Sequence, residues 1–268
     1  MRICRMLFML WCMTAATDAA CAAEVIPALK AHAHNDYYHD RPLLDALAEG
    51  FCSVEADVFL IDGKLLVGHS KRELKPERTL EKLYLDPLRE LVKKNGGRVY
   101  AKVPTVTLLV DIKSNGKETY DALHLILTRY SDLLTTVKDD KVVAGAVQIV
   151  VSGNRDFEAI AKSNPRFVGV DGRLSDLDSD RPAHLMPMIS DNWRSHFKWR
   201  GDGEITAKER EKLALIVQKA HAAQRSVRLW ATPESESLWA ELLKADVDHI
   251  NTDQLARLSR FLRESTKE

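Results

Sequence analysis

The chain has 268 residues, its 39 lysines and arginines balance 39 aspartates and glutamates, and 45% of it is hydrophobic. A chain this long buries about three quarters of its unfolded surface and needs no disulfide to hold together, and the composition excludes disordered and fibrous classes. A formal net charge of +0 argues against a nucleic-acid binder, which draws affinity from a basic excess that displaces counterions.

In chain order, residues 1–23 read as a secretory leader. Arg2 and Arg5 are basic, 6–13 is apolar, and Ala20-Cys21-Ala22 has the small-residue form of a cleavage site. The apolar run is shorter than the ~20 residues that cross a bilayer. The expectation is an exported protein, periplasmic or extracellular, with one domain over 24–268. A lipid anchor on Cys21 is the lesser alternative, because Asp18 three positions earlier fits it poorly. Cys4 and Cys12 lie in the leader and Cys21 beside its end, so only Cys52 remains in the body. Its apolar surroundings make it a buried small hydrophobe rather than a nucleophile.

Short apolar runs follow at 29–34, 53–60, 107–112, 147–152, 167–171, 185–190, 227–231 and 249–251. They are rich in Val, Ile and Leu and bounded by Gly, Asp, Asn or Pro, as buried parallel strands are. Helical periodicity fills 42–49, 80–94, 118–134, 206–223 and 237–244. Eight strands alternating with helices predict a single-domain α/β fold, the TIM (β/α)8 barrel. The rival, an open doubly wound sheet, lacks a Gly-rich phosphate loop after an early strand.

A barrel places its chemistry at the C-terminal ends of its strands. The first strand ends His32-Ala33-His34-Asn35-Asp36. The second carries Glu55 and Asp57, then leads through a hairpin-like Ile61-Asp62-Gly63-Lys64 turn to Gly68-His69. The third ends Asp111-Ile112-Lys113, the seventh Trp230-Ala231-Thr232-Pro233, and the eighth Asn251-Thr252-Asp253.

Glu55 and Asp57 are two residues apart on a strand, so both point to one face while Val54, Ala56 and Val58 point to the other. Two carboxylates in one barrel mouth repel unless a cation or a proton lies between them. With Asp111 they supply three hard oxygen ligands, which suits one divalent cation, Mg²⁺ or Ca²⁺. The alternative use for such carboxylates is ion pairing with Lys or Arg. His34 and His69 flank the acidic pair. With an ordinary pKa near 6.5, one can serve as base for an attacking oxygen and the other as acid for a leaving oxygen. Lys113 shares a face with Asp111 and is a candidate for binding a phosphate oxygen.

The ordered set Ala33-His34-Asn35-Asp36-Tyr37, Val54-Glu55-Ala56-Asp57-Val58, Asp62-Gly63, Gly68-His69 and Leu109-Val110-Asp111-Ile112-Lys113 resembles the phosphatidylinositol phospholipase C and glycerophosphodiester phosphodiesterase superfamily. The His-Asn-Asp-Tyr and Val-Glu-Ala-Asp-Val segments, with Leu83-Tyr84-Leu85-Asp86-Pro87-Leu88, are most similar to the group named for altered inheritance of mitochondria. The resemblance implies a TIM-barrel phosphodiesterase with one divalent ion. It implies His34 as general base, His69 as general acid, Glu55, Asp57 and Asp111 as metal ligands, and Asn35 as a fourth. The glycerophosphodiester branch opens His-Arg-Gly. This chain has no arginine there, so the arginine that holds phosphate in that branch is absent or replaced. His32, after Ala31, is an alternative for the first histidine.

Two other readings stand beside this one. His32-x-His34 is also the opening of metal-dependent amidohydrolases and of polymerase-and-histidinol-phosphatase-type phosphoesterases, with Asp253 as a strand-eight ligand. An inactive ligand-binding barrel would use Trp193, Trp199 and Trp230 as a platform; in an enzyme Trp230 is a candidate substrate contact. The segment 191–203 is long enough to be a lid touching lipid or a headgroup. The expected partner is a small phosphodiester or a phospholipid headgroup, with peripheral membrane contact, no nucleic acid and no obligate protein partner.

Overall fold

The computed structural model describes residues 25–265; the expected leader, with Cys21, lies outside the described residues. Eight parallel strands run in sequence order: β1 (Ala28–Ala33), β2 (Phe51–Ile61), β3 (Val106–Ile112), β4 (Val147–Gly153), β5 (Val168–Gly172), β6 (Met188–Asn192), β7 (Ser226–Trp230) and β8 (His249–Thr252). β1 pairs with β8 on one side and β2 on the other, which closes the ring into a TIM barrel. Each apolar run singled out in the sequence becomes one of these strands.

The outer layer consists of α1 (Leu44–Ala48), α2 (Asp86–Lys94), α3 (Gly116–Thr128), α4 (Phe157–Lys162), α5 (Trp193–His196), α6 (Ala207–Ala222), α7 (Glu236–Lys244) and α8 (Leu255–Ser265). Several begin on a side-chain cap: Asn115, Asp156, Thr206 and Ser235 each accept a hydrogen bond from the backbone N–H three residues on. The alternation fails once. β5 is followed by a single 3-10 turn at Leu174–Asp176, and the segment up to β6, with Pro182 and Pro187, has no helical periodicity. The helix expected over 118–134 stops at Thr128.

The parity expected for β2 holds. Val54, Ala56 and Val58 are buried in the main core, while Glu55 and Asp57 point into the barrel. The β2–β3 register sets Asp57 directly beside Asp111, and the β3–β4 register sets Asp111 beside Ser152. Two side chains from adjacent strands are thereby forced into one layer of the mouth.

Two local devices complete it. Asp62 and Gly63 both have positive φ (48° and 75°), the geometry of a two-residue hairpin turn whose twist matches its strands. The turn folds Lys64–Val67 back antiparallel on β2, and Gly68 N–H then donates to Asp57 O (3.2 Å), so His69 arrives above Asp57. Beyond β1, Asp36 is fully buried. Its Oδ2 accepts from Leu43 N (2.5 Å) and the Tyr84 hydroxyl (2.9 Å), tying the 36–43 loop beneath the segment that leads into α2. Burial pushes its carboxyl up to about 6.

The aromatic platform and the lid take a different form. Trp193 is fully buried and stacks on Phe197 with ring centroids 3.9 Å apart. Its Nε1 donates to Trp199 O, and Trp199 Nε1 donates to Asp202 O. These rings fasten 193–202 to the barrel, so of the three tryptophans only Trp230 reaches the mouth. Cys52 is buried with a free thiol, which burial pushes up to about 12.

Because Asp36 depends on two donors in a buried site, Tyr84→Phe is expected to lower stability by about 1–3 kcal/mol. Urea unfolding of the two proteins measures this; equal midpoints would show that Asp36 does not rely on the Tyr84 hydroxyl.

Candidate active site

The C-terminal mouth of the barrel holds a cavity of about 390 Å³ lined by His34, Asn35, Glu55, Asp57, His69, Asp111, Lys113, Arg173, Arg228 and Trp230, among others. It contains His34, His69, Glu55, Asp57, Asp111, Asn35, Lys113 and Trp230, all singled out in the sequence; His32 and Asp253, named for the alternative readings, do not line it. Larger hollows exist elsewhere, but they lack this set of titratable groups.

Glu55, Asp57 and Asp111 each place one oxygen within 4.8 Å of the others. All three work against burial, yet differently. Burial opposes charge on Glu55, but the Arg228 guanidinium and a hydrogen bond with His32 hold its carboxyl well below the usual carboxylate range. For Asp57, burial first and then Glu55 push the carboxyl up to about 6. Burial also raises Asp111.

The pairing explains the division. Arg228 Nη2 donates to Glu55 Oε2, and Arg228 Nε donates to Asn251 Oδ1 (2.9 Å). Lys113 Nζ donates to Asp111 Oδ2 (2.9 Å) and lies 3.2 Å from Asp57 Oδ2. Asp57 Oδ2 also accepts from the Tyr37 hydroxyl (2.8 Å). Ion pairing, the alternative use for these carboxylates, is therefore realised, but incompletely: three carboxylates face two cations. The other oxygens, Asp57 Oδ1 and Asp111 Oδ1, are buried without any hydrogen-bond partner. An orphaned carboxylate oxygen is costly, and two of them beside a third carboxylate form the hard, anionic donor set that Mg²⁺ or Ca²⁺ takes. Gly153 at the end of β4 keeps the space open, since a Cβ there would meet Asp111 Oδ1 at 2.0 Å. The residues fit a divalent ion.

The two histidines stand on either side. His34 Nδ1 lies 2.7 Å from Asp253 Oδ1, a carboxylate that also accepts from Asn35 Nδ2 (3.2 Å). Burial works against the imidazolium, but the Asp253 hydrogen bond together with the charges of Glu55 and Asp253 more than offsets it, and the imidazole is held above its ordinary value. His69 Nδ1 lies 3.1 Å from Asp57 Oδ2 and 3.3 Å from the Tyr37 hydroxyl. Asn35, at φ 48°, turns its Oδ1 to the Tyr37 hydroxyl (2.7 Å).

His32 occupies another layer. It is wholly buried, with Nδ1 2.7 Å from Ser53 Oγ and Nε2 3.2 Å from Glu55 Oε2. Burial, reinforced by Arg228, keeps it well below its ordinary pKa. Both of its ring nitrogens are engaged. The His32-x-His34 pair therefore does not converge on one point: His34, past the end of β1, reaches the cavity and His32 does not.

Arg228, Asp253, Tyr37 and Arg173 were not assigned to this site from sequence, apart from Asp253 as a ligand in the amidohydrolase alternative. The available signal for Arg228 was a lone charge between Val227 and Leu229 on a strand.

The structure is thus a TIM barrel with an acidic triad and two histidines in its mouth. A family model described as AIM6-like phosphodiesterase domain matches residues 19–171, and one described as glycerophosphoryl diester phosphodiesterase family matches residues 226–256. The chain belongs to the AIM6-like phosphodiesterase domain family. It is 30% identical to altered inheritance of mitochondria protein 6 of Saccharomyces cerevisiae, over 86% of this chain and 70% of that protein. It is 27% identical to the Arthroderma benhamiae homolog, over 86% and 82%. Among solved structures, it superposes on a glycerophosphodiester phosphodiesterase from Parabacteroides distasonis with TM-score 0.54 and 15% identity, over 89% of this chain and 98% of that one. One from Agrobacterium tumefaciens gives TM-score 0.50 and 13% identity, over 87% and 97%. These likenesses establish the shared barrel.

The raised carboxyl of Asp57 has a pH consequence. A group whose folded pKa lies above its unfolded value stabilises the fold below the unfolded value and loses that contribution as pH rises through the folded one. In chelator, wild type should therefore lose stability relative to Asp57→Asn as pH rises from the ordinary 3.8 to about 6. Melting temperatures across that window measure it; a constant difference would show that Asp57 ionises without penalty.

Proposed function

We propose that the protein is a divalent-metal-dependent phosphoric diester hydrolase that works by histidine acid–base catalysis on a glycerophosphodiester or a phospholipid headgroup. The observation that carries this reading is the pair of orphaned oxygens on Asp57 and Asp111, set between two cavity-lining histidines. The family description and the glycerophosphodiester phosphodiesterases that share the barrel support the substrate class. The leader pattern supports export to the periplasm or outside the cell.

Glu55, Asp57 and Asp111 would hold the ion. When bound, it would draw a phosphoryl oxygen and stabilise the charge that develops there. His34, oriented through Nδ1 by Asp253, takes a proton at Nε2 from the attacking oxygen of water or of a neighbouring substrate hydroxyl. His69, fixed through Nδ1 by Asp57, donates from Nε2 to the leaving oxygen. The Tyr37 hydroxyl, between Asn35, Asp57 and His69, keeps the two halves of the machinery in register. Lys113 lies against both aspartates and is placed to meet a phosphate oxygen; Trp230 walls the cavity.

His34→Ala and His69→Ala should each lower kcat/KM for bis(p-nitrophenyl) phosphate by about 10²–10⁴-fold, and a chelator should abolish turnover in wild type. Undiminished activity in both variants would sink the acid–base assignment.

A further inference from the structure

Across the mouth from His34 lies a second polar assembly that the reaction above does not use. In the eight-stranded ring β5 is four strands from β1 in either direction. Its last two residues are Asp171, which is fully buried, and Gly172; Arg173 follows and reaches the same cavity as the acidic triad. Asp171 Oδ2 accepts three donors: Ser152 Oγ from β4 (2.7 Å), Ser190 Oγ from β6 (2.6 Å) and Arg173 Nη1 (2.7 Å). Arg173 Nη1 also donates to Gly172 O (3.0 Å). Three strands thus converge to hold one guanidinium by one of its nitrogens.

The other side of that guanidinium is nearly unused. Nη2 makes a single contact, 3.4 Å to Ser152 Oγ, and Nε has no partner among the described residues. The Nε–Nη2 edge is the side-on fork that matches a carboxylate or a phosphate with two parallel hydrogen bonds. Arg155 lies close by. It donates to Gly153 O (3.1 Å) and has no carboxylate within ion-pair distance among the described residues. Burial, and next the charge of Arg173, hold its guanidinium below the ordinary value. Two cations lie beside each other; Asp171, Asp176 and Asp111 act on Arg155 through charge, but Asp171 is the only carboxylate bonded to either side chain, and the Nε–Nη2 edge of Arg173 remains open to an anion.

We propose that the free fork of Arg173, backed by Arg155, binds a second anionic group of the substrate, a carboxylate or a phosphate carried by the alcohol beyond the reacting phosphodiester. This rests on the phosphodiesterase reading and narrows it. The preferred substrates carry an additional negative charge, and diesters of cationic alcohols are disfavoured. The position of β5 opposite β1 sets Arg173 across the mouth from His34, with Ser152 between it and Asp111 of the triad, so a phosphate held by the triad and histidines would turn its far alcohol toward Arg173.

The test compares two small ligands that share a phosphate and differ only at the far end, 2-phosphoglycolate and 2-hydroxyethyl phosphate. Each is titrated calorimetrically into Mg²⁺-saturated protein. Wild type should bind 2-phosphoglycolate at least about tenfold more tightly, the effect expected of a charge-assisted bidentate pair. Arg173→Gln should bring the ratio close to one. Equal affinities in wild type, or an undiminished ratio in the variant, would overturn the inference. So would an equal weakening of both ligands in Arg173→Gln, because the fork would then hold the shared phosphate. Turnover of bis(p-nitrophenyl) phosphate is followed in parallel. A tenfold binding ratio without turnover would refute the hydrolase reading and leave the anion site standing.

Discussion

The register of β2 against β3 sets Asp57 and Asp111 side by side in one layer of the barrel mouth, and the rest of the mouth is organised around that constraint. Two neighbouring carboxylates in a low-dielectric site, next to a third, cannot all ionise cheaply. The chain answers with Arg228 on Glu55 and Lys113 on the two aspartates, and stops one positive charge short. Further cationic residues would have neutralised the layer and made it inert. What remains is a layer one positive charge short, which the proposed divalent ion would complete through the orphaned oxygens.

The elements near this layer position groups against it. The two-residue turn after β2 delivers His69 onto Asp57, and the left-handed Asn35 lets the chain leave β1 so that His34 and Asn35 face the mouth while the buried Tyr37 reaches Asp57 through its hydroxyl. Asp36, between them in sequence, points the other way into the core and anchors the loop. In His34-Asn35-Asp36-Tyr37, three residues are bonded into the polar network around Asp57 and Asp253 and one anchors the loop that carries them.

Much of this was legible in the sequence, for identifiable reasons. Strand positions follow from short apolar runs with turn residues at their ends, and period two fixes Glu55 and Asp57 on one face. The Asp62-Gly63 turn carries its own signature. What could not be read are the contacts between distant strands. Arg228 reaches Glu55 across 173 residues and Asp253 reaches His34 across 219, and only ring closure joins them. The division between His32 and His34 was also hidden: two histidines of equal parity point alike on an ideal strand, but His34 lies beyond the end of β1. The tryptophans of 193–199 looked like a platform because composition does not reveal that Trp193 stacks on Phe197. The absent helix after β5 reflects a segment with two prolines and no apolar stripe.

The central claim, one divalent ion on Glu55, Asp57 and Asp111, is tested most directly by calorimetric titration of Mg²⁺ and Ca²⁺ into the chelator-stripped protein and into Asp111→Asn. The account predicts one site per chain in wild type and its loss in the variant. Absence of binding by wild type, or an equal site in Asp111→Asn, would contradict it.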